Sequence, residues 1–244
     1  MMKVTPNMLM NVPPLPEFRE LTWDDRNIYR DWCRHFGVDA SELTFTNLFA
    51  WRRSEPVMIS RLDMLLVVLR LDREKRPSLC VPIGEGDLSA VTEQMLSLLQ
   101  TISSEDSPVL RRVPEFYASA IAELGYPVEE DRDNFDYVYR VDDLAELPGR
   151  KYDGKRNHVR KCLESSPCEY EEINRNNLDD CFSLATEWCN VRQCDIHPPL
   201  ASEFRAIRET FERFEELGLL GGAIRVHGEI QAFAIGEAIN EGTA

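Results

Sequence analysis

The sequence has no long apolar run. Its longest stretch of consecutive apolar residues is Met64–Leu69, whereas a helix that crosses a membrane needs about 20 of them. The N-terminal region up to Arg30 is rich in charge and lacks the apolar core of a secretory signal peptide. We therefore expect neither a transmembrane segment nor export by the secretory route.

Paired cysteines are lacking as well. The seven cysteines are an odd number, and no two of them form a Cys-x-x-Cys motif. This pattern favours reduced, buried thiols over a disulfide framework, and it predicts a cytoplasmic protein. Cys189, Cys194 and His197 fall close together, but their spacing matches no standard zinc pattern, so no metal site is predicted.

Positive net charge is also absent. The chain has 28 Lys and Arg against 43 Asp and Glu, which gives a formal net charge of −15 at pH 7. A diffuse acidic surface repels phosphate-bearing partners, which excludes bulk attraction to DNA or to an anionic membrane. Any contact with a nucleic acid must therefore be local. The oligomeric state stays open.

Hydrophobic residues make up 43% of the sequence, which is enough for a folded core. The length of 244 residues favours two domains. Helical and strand-like patterns alternate along the chain, which predicts an α/β (α+β) protein with mostly antiparallel sheets. The breaker pair Pro148-Gly149 marks a linker. We therefore assign residues 1–149 to a first domain and residues 150–244 to a second.

Within the first domain, a strand and a helix that ends at Gly37 precede a meander of three strands. The predicted strands of the meander are Pro56–Arg61, Met64–Leu71 and Ser78–Ile83. The elements predicted after it are a helix at Asp87–Ile102, a strand at Val109–Arg112, a helix up to Leu124 and a strand at Phe135–Val141. The second domain is predicted to contain a strand at Cys168–Ile173, helices at Asn177–Val191 and Ser202–Leu217, and a hairpin that turns at His227-Gly228.

A basic cluster opens the predicted second domain. It consists of Arg150, Lys151, Lys155, Arg156, Arg160 and Lys161. If the chain is helical from Lys155 onward, Arg156 and Arg160 lie on one face, with Asn157 and Lys161 beside them. Forked guanidinium donors of this kind suit phosphate or carboxylate, such as a tRNA acceptor arm or a nucleotide. The alternative is a solvated helix face whose cations pair with acidic residues.

Several segments carry a resemblance to a known family. They are Leu43–Trp51, Lys151–His158, Phe214–Val226 and Gln231–Glu237. Together they resemble bacterial proteins similar to the C-terminal domain of phosphatidylglycerol lysyltransferase. The resemblance implies two tandem GNAT-like (acyl-CoA N-acyltransferase-like) folds and further strands beyond Ala244, so the second domain is expected to be incomplete at its C-terminus.

The resemblance also implies where ligands would lie. Gly84-Glu85-Gly86 is similar in position to the loop that holds pyrophosphate in acyl-CoA-dependent relatives, but Glu85 and Asp87 would repel an anion, which favours a structural turn. Glu237 ends a strand that would line the cleft of the fold, where it could bind an amine or accept a proton. The alternative is a strand-end charge in water. The candidate substrate-binding residues are Lys151, Lys155, Arg156, Asn157, Arg160 and Glu237; no catalytic residue is assigned.

The leading functional hypothesis is aminoacyl transfer from charged tRNA to an amine, hydroxyl or lipid acceptor, with tRNA bound through the basic cluster. The donor, charged tRNA or acyl-CoA, stays open. One alternative is a degenerate transferase fold that acts as a binding or regulatory module. A further alternative is acetyl-CoA-dependent N-acetylation, which rests on analogy of fold.

Overall fold

The computed structural model describes residues 6–103 and 109–244. The chain divides into two units, Met1–Phe135 with Ile239–Thr243, and Asp136–Ala238 with Ala244. The described part of each unit combines helices with one antiparallel sheet, which confirms the α+β class. The assignment of residues 1–149 and 150–244 to two domains stays a prediction.

The first unit contains a four-stranded sheet whose strands follow one another in sequence order with antiparallel neighbours, and its last three strands form the predicted meander. Its strands are Arg19–Glu20 (β1), Val57–Leu62 (β2), Leu65–Leu71 (β3) and Pro77–Leu79 (β4). Its helices are Arg26–His35 (α1), Phe45–Trp51 (α2), Leu88–Ile102 (α3) and Glu115–Glu123 (α4).

The central strand β3 organises the core of this unit. Its sequence is almost entirely aliphatic, and all of its residues except Leu71 are buried. One cluster on its surface consists of Val67, Leu69, Leu79, Met95 and Leu99. Successive side chains of a strand point to opposite faces, so burial of Val68 shows that the second face is covered too. Each such aliphatic side chain contributes about 1.5–3 kcal/mol by burial.

Local signals set the ends of the helices. Asp87 caps α3 because its carboxylate accepts a hydrogen bond of 2.8 Å from the backbone N–H of Ala90. Gly37 follows α1 with φ +66°, and Gly125 follows α4 with φ +89°. Glycine adopts this left-handed conformation without the steric cost that a Cβ brings. The predicted ends of these helices are therefore confirmed.

Two predicted strands are wrong. In the described part of the chain, residues 109–112 form no strand: Arg111 donates a backbone hydrogen bond to Leu79, and Arg112 turns the chain with φ +57°. Residues 135–140 also form no strand in the described part of the chain, and a helix begins at Val141. Among the described residues no neighbouring strand pairs with this alternating segment, and Tyr137 and Val138 are exposed at 78% and 85%.

An ion pair joins β1 to the start of α1. The guanidinium of Arg19 donates two hydrogen bonds, of 2.8 and 2.6 Å, to the carboxylate of Asp25. Burial alone would raise the pKa of Asp25, but hydrogen bonds from Arg19 and Thr22 outweigh burial and hold that pKa below its ordinary value of 3.8. The folded state therefore binds the proton of Asp25 more weakly than the unfolded chain does.

We expect Asp25→Asn to remove part of the acid sensitivity of this unit. A carboxyl whose pKa is lowered by folding stabilises the protein above its unfolded pKa, and the contribution is lost as pH falls through the lower folded pKa. The difference in unfolding free energy between wild type and Asp25→Asn, measured by urea denaturation, should therefore shrink in that acid range. Asp24→Asn, at an exposed neighbour, is the matched control. The same pH profile for both variants would contradict the prediction.

The second unit contains a sheet in the order β5-β6-β7, with antiparallel neighbours. Its strands are Cys168–Glu172 (β5), Leu220–Val226 (β6) and Glu229–Gly236 (β7). Its helices are Val141–Glu146 (α5), Asp153–Ser165 (α6), Leu178–Val191 (α7), Pro198–Glu212 (α8) and Phe214–Leu217 (α9). The hairpin at His227-Gly228 is confirmed, and both residues have the positive φ of a type I′ turn, 51° and 84°.

The helix predicted at Ser202–Leu217 differs from the observed one at both ends. It begins earlier, at Pro198, because proline fits the first turn of a helix, where its missing N–H is not needed. It is also interrupted at Arg213, so that α9 is a separate short helix. Gly218 then ends α9 with φ +67°, as its position in the sequence indicates.

The prediction that the thiols are reduced is wrong for one pair. Cys189, near the end of α7, forms a disulfide bond with Cys194, which lies in the turn before α8. The sequence gives no hint of this pairing, because the fold of the intervening turn brings the two Cα atoms to 5.2 Å. Neither sulfur of this pair is then available as a thiolate ligand to a metal.

Candidate functional site

The basic cluster lies on a tight turn and the helix that follows it. Helix α5 ends at Leu147 in the left-handed conformation, with φ 49°, and Gly149 continues the turn with φ +76°. A short 3-10 helix at Arg150–Tyr152 leads into α6. The chain is therefore helical from Lys155 onward, which is the condition for Arg156 and Arg160 to share a face, and the helix begins two residues earlier, at Asp153.

Arg156 holds this turn together. Its guanidinium donates to the backbone carbonyls of Leu147 and Gly149, the latter at 2.9 Å, and to the carboxylate of Asp153. These carbonyls lie at and just beyond the C-terminal end of α5, where carbonyl groups receive no hydrogen bond from an N–H of the same helix. Much of the donor capacity of Arg156 is therefore used inside the protein, and its role in ligand binding stays a prediction.

Lys151 also contacts other side chains of the protein. Its ammonium lies 3.1 Å from the carboxylate of Asp143 and 4.7 Å from the centre of the Tyr152 ring. The hydrogen bond that Lys151 donates to Asp143 raises the pKa of Lys151, because it favours the charged ammonium. Tyr152 is the buried residue of this turn. Lys151 therefore remains protonated and covers an aromatic side chain.

The rest of the cluster faces solvent. The guanidinium of Arg160 donates a hydrogen bond of 3.2 Å to the side-chain oxygen of Asn157 and lies 3.9 Å from Glu164. This contact orients Arg160, while its side chain stays 66% exposed. Lys155 and Lys161 are exposed, and neither has a salt-bridge partner among residues 6–103 and 109–244. Arg150, before α6, is exposed as well, so Arg150, Lys155, Arg160 and Lys161 are the cations of the cluster that an incoming anion can reach.

Helix α6 is exposed on every side within the described structure, with no buried residue. Two aliphatic side chains, Val159 and Leu163, share one face one turn apart, with 52% and 62% of their surface exposed. The helix therefore presents cations and a small apolar strip together.

Glu237 follows directly after β7 and is half-buried. The hydrogen bonds and ion pairs of the basic cluster involve Asp143, Asp153, Asn157 and Glu164. The position of Glu237 after β7 does not test whether it binds an amine. Its role as an amine-binding group therefore stays a prediction.

The glycine turn at Gly84-Glu85-Gly86 lines a cavity in the first unit with a volume of about 350 Å³. A Cβ on Gly84 would lie 2.3 Å from the carbonyl oxygen of Met64, and φ there is +147°, so only glycine fits. The cavity wall is largely apolar and includes Val91 and Met95 of α3. Because Asp87 already caps α3, the geometry agrees with a structural turn and disfavours an anion at this helix start.

A polar network in the second unit was not predicted from the sequence. Arg225 of β6 donates to Glu171 of β5 at 2.6 Å and to Asp180 of α7 at 3.0 Å. The side-chain amide of Asn177 donates to the other carboxylate oxygen of Glu171, at 2.9 Å. Hydrogen bonds from Asn177 and Arg225 lower the pKa of Glu171. These residues are far apart in the sequence, so no local motif predicts the network that they form.

Comparison with known proteins agrees with the segments that carry the resemblance. The family model for phosphatidylglycerol lysyltransferase, C-terminal, matches residues 34–244. The chain belongs to this family. A crystal structure of a conserved protein of unknown function from Bacteroides thetaiotaomicron VPI-5482 is similar, with 30% sequence identity and a TM-score of 0.76. The similarity covers 91% of this chain and 76% of that one. No match to a curated protein reaches significance.

Two kinds of feature are absent from the described part of the chain. No helix in the described part of this phosphatidylglycerol lysyltransferase-family chain combines the length and the apolar character that crossing a membrane requires. Among the described residues, there is also no group of three or more His, Cys, Asp or Glu side chains placed to hold a metal ion.

Proposed function

We propose that this chain belongs to an aminoacyl transferase that takes its aminoacyl group from charged tRNA and passes it to an amine, hydroxyl or lipid acceptor. Membership of the phosphatidylglycerol lysyltransferase family supports the reaction class. The observation that carries the proposal is the exposed helix α6, on which Arg160 and Lys161 face solvent beside Lys155. A tRNA donor puts the reaction in the cytoplasm. We further propose that the two units are tandem GNAT-like folds.

Charge supports a local contact with RNA. The chain as a whole is acidic, so RNA would be repelled except where exposed cations gather. Arg160 supplies a planar fork that matches phosphate, whereas the two lysines act as mobile point charges. Lys151 and Arg156 then position the helix by bonding to Asp143 and to the turn at residues 147–149.

We expect Arg160→Ala with Lys161→Ala to weaken the binding of tRNA about tenfold at low salt. Removing two phosphate contacts from a single-stranded or double-stranded RNA site should reduce the slope of log affinity against log salt by about 1.4–1.8. Fluorescence anisotropy with labelled tRNA measures both quantities. Arg156→Ala is a poorer probe, since it removes the donors that close the preceding turn.

The matched control is Arg73→Ala with Lys75→Ala, which removes the same two kinds of charge from an exposed turn of the first unit. We expect this control to bind tRNA almost as the wild type does. Equal loss of affinity in both double variants would show that only net charge matters, and no tRNA binding by wild type at low salt would overturn the proposal.

A transfer assay separates the alternatives. Labelled aminoacyl-tRNA and labelled acetyl-CoA are offered in parallel to the same set of amine, hydroxyl and lipid acceptors. The proposal requires transfer from the tRNA donor. Transfer from acetyl-CoA alone would favour N-acetylation, which the Asp87 cap disfavours. Binding of tRNA without transfer from either donor would favour the binding or regulatory module.

A further inference from the structure

A second pair of cysteines lies at the end of the basic helix. Cys162 is in the last turn of α6, and Cys168 is the first residue of β5. Their sulfur atoms are 3.2 Å apart, while both thiols are free. A disulfide bond is about 2.05 Å long, so the sulfurs need to approach by only about 1 Å. We propose that Cys162 and Cys168 form a site of reversible thiol–disulfide exchange.

Access to reagents distinguishes Cys162 from the other free cysteines. Cys162 is exposed, Cys33 and Cys168 are half-buried, and Cys80 and Cys181 are buried. Burial raises the pKa of the Cys80 thiol to about 11, which keeps it protonated and inert. The hydrogen bond with Cys162 raises the pKa of Cys168. Because Cys162 is the exposed thiol of the pair, it reacts first, and Cys168 resolves the product.

The co-reactant is a low-molecular-weight disulfide. The thiolate of Cys162 attacks one sulfur of that disulfide, breaks its S–S bond and displaces a thiolate, which leaves a mixed disulfide on Cys162. Cys168 then loses its proton and attacks the sulfur of Cys162, which forms the internal bond and displaces a second thiolate. The two protons lost by the cysteines are taken up by the displaced thiolates. The small disulfide has then gained two electrons and become two thiols, and the reverse reaction reduces the pair.

The bond would join the last turn of α6 directly to β5, across the connecting residues Ser166 and Pro167. Helix α6 has no buried residue, so a covalent link at its C-terminal end restricts a helix that packing holds only weakly. This inference does not depend on the proposed function, because the exchange chemistry requires only the two thiols.

The test uses the full chain, first reduced and freed of reductant, then incubated with oxidised glutathione. Trypsin cleaves after Lys161 and Arg175, so both cysteines fall in the single peptide 162–175. We expect this peptide to become lighter by two hydrogen atoms and to lose two titratable thiols. Because the neighbouring thiol acts at high effective concentration, glutathione should remain on wild-type Cys162 at least about tenfold less often than in Cys168→Ser.

The single variants Cys162→Ser and Cys168→Ser are the controls, and circular dichroism verifies that both fold. Cys168→Ser should keep glutathione on Cys162 as a stable mixed disulfide, and Cys162→Ser should react more slowly at Cys168. The proposal is overturned if glutathione stays on Cys162 in the wild-type chain. It is equally overturned if peptide 162–175 stays fully reduced at a glutathione concentration that modifies Cys162 in Cys168→Ser.

Discussion

Trp32→Ala should destabilise the first unit by about 3–5 kcal/mol, the largest effect that we expect from a single substitution. Trp32 is 0% exposed and packs against Phe36, with 5.1 Å between ring centres. Its indole N–H donates a hydrogen bond of 2.7 Å to the carbonyl of Ile83, directly before the glycine turn. Truncation leaves a cavity and detaches α1 from this segment.

Urea denaturation followed by far-ultraviolet circular dichroism measures this loss. Trp32→Phe keeps most of the apolar surface and loses the hydrogen bond, so it should cost less than Trp32→Ala. The carbonyl of Ile83 still accepts from the N–H of Leu66 in both variants, which limits the polar part of the cost. Trp188→Ala, at a side chain that is 40% exposed, is the control, and we expect it to cost about 1 kcal/mol or less. Equal losses for Trp32→Ala and Trp188→Ala would contradict the prediction.

Asn177→Asp should destabilise the second unit by about 2–4 kcal/mol at neutral pH. Asn177 is 3% exposed, and its amide nitrogen donates to Glu171 and to the carbonyl of Glu172, each at 2.9 Å. Its amide oxygen accepts from the backbone N–H of Asn174 at 2.8 Å. A carboxylate of the same shape keeps the accepting bond, but it loses both donors and faces the charge of Glu171.

The pH dependence identifies the cause. Burial and the neighbouring carboxylate raise the pKa of the introduced carboxyl above its unfolded value. Its penalty is therefore complete above the raised folded pKa and disappears as pH falls towards the unfolded pKa of about 3.9. Urea denaturation at several pH values should show Asn177→Asp regaining stability relative to Asn177→Ala in acid. Asn176→Asp adds the same charge at an exposed position and is the matched control. A penalty that does not change with pH would contradict this account.

Much of the secondary structure follows from local signals. The continuous apolar run of β3, the capping aspartate at residue 87 and the glycines at residues 37, 125 and 218 predict elements that the structure contains. The positive φ values at His227-Gly228 follow the same local preference. These features depend on a few neighbouring residues, so the sequence shows them directly.

The two wrong strands show where local reasoning fails. Residues 135–140 alternate as a strand does, but strand formation needs backbone partners from elsewhere in the chain, and alternation does not supply them. The disulfide between Cys189 and Cys194 likewise depends on how the turn after α7 folds back, which the spacing of the two cysteines does not show.

The basic cluster shows both what the sequence determines and what the tertiary structure decides. The sequence by itself determined that six cations gather in twelve residues of an acidic chain. Only the tertiary structure decided which of them remain available. Arg156 is drawn to the carbonyls of the turn at Leu147, because the end of a helix leaves acceptors that need donors, while Arg160 and its lysine neighbours stay in solvent. The sequence determines how many charged side chains lie in this segment, and the fold determines which groups each of them contacts.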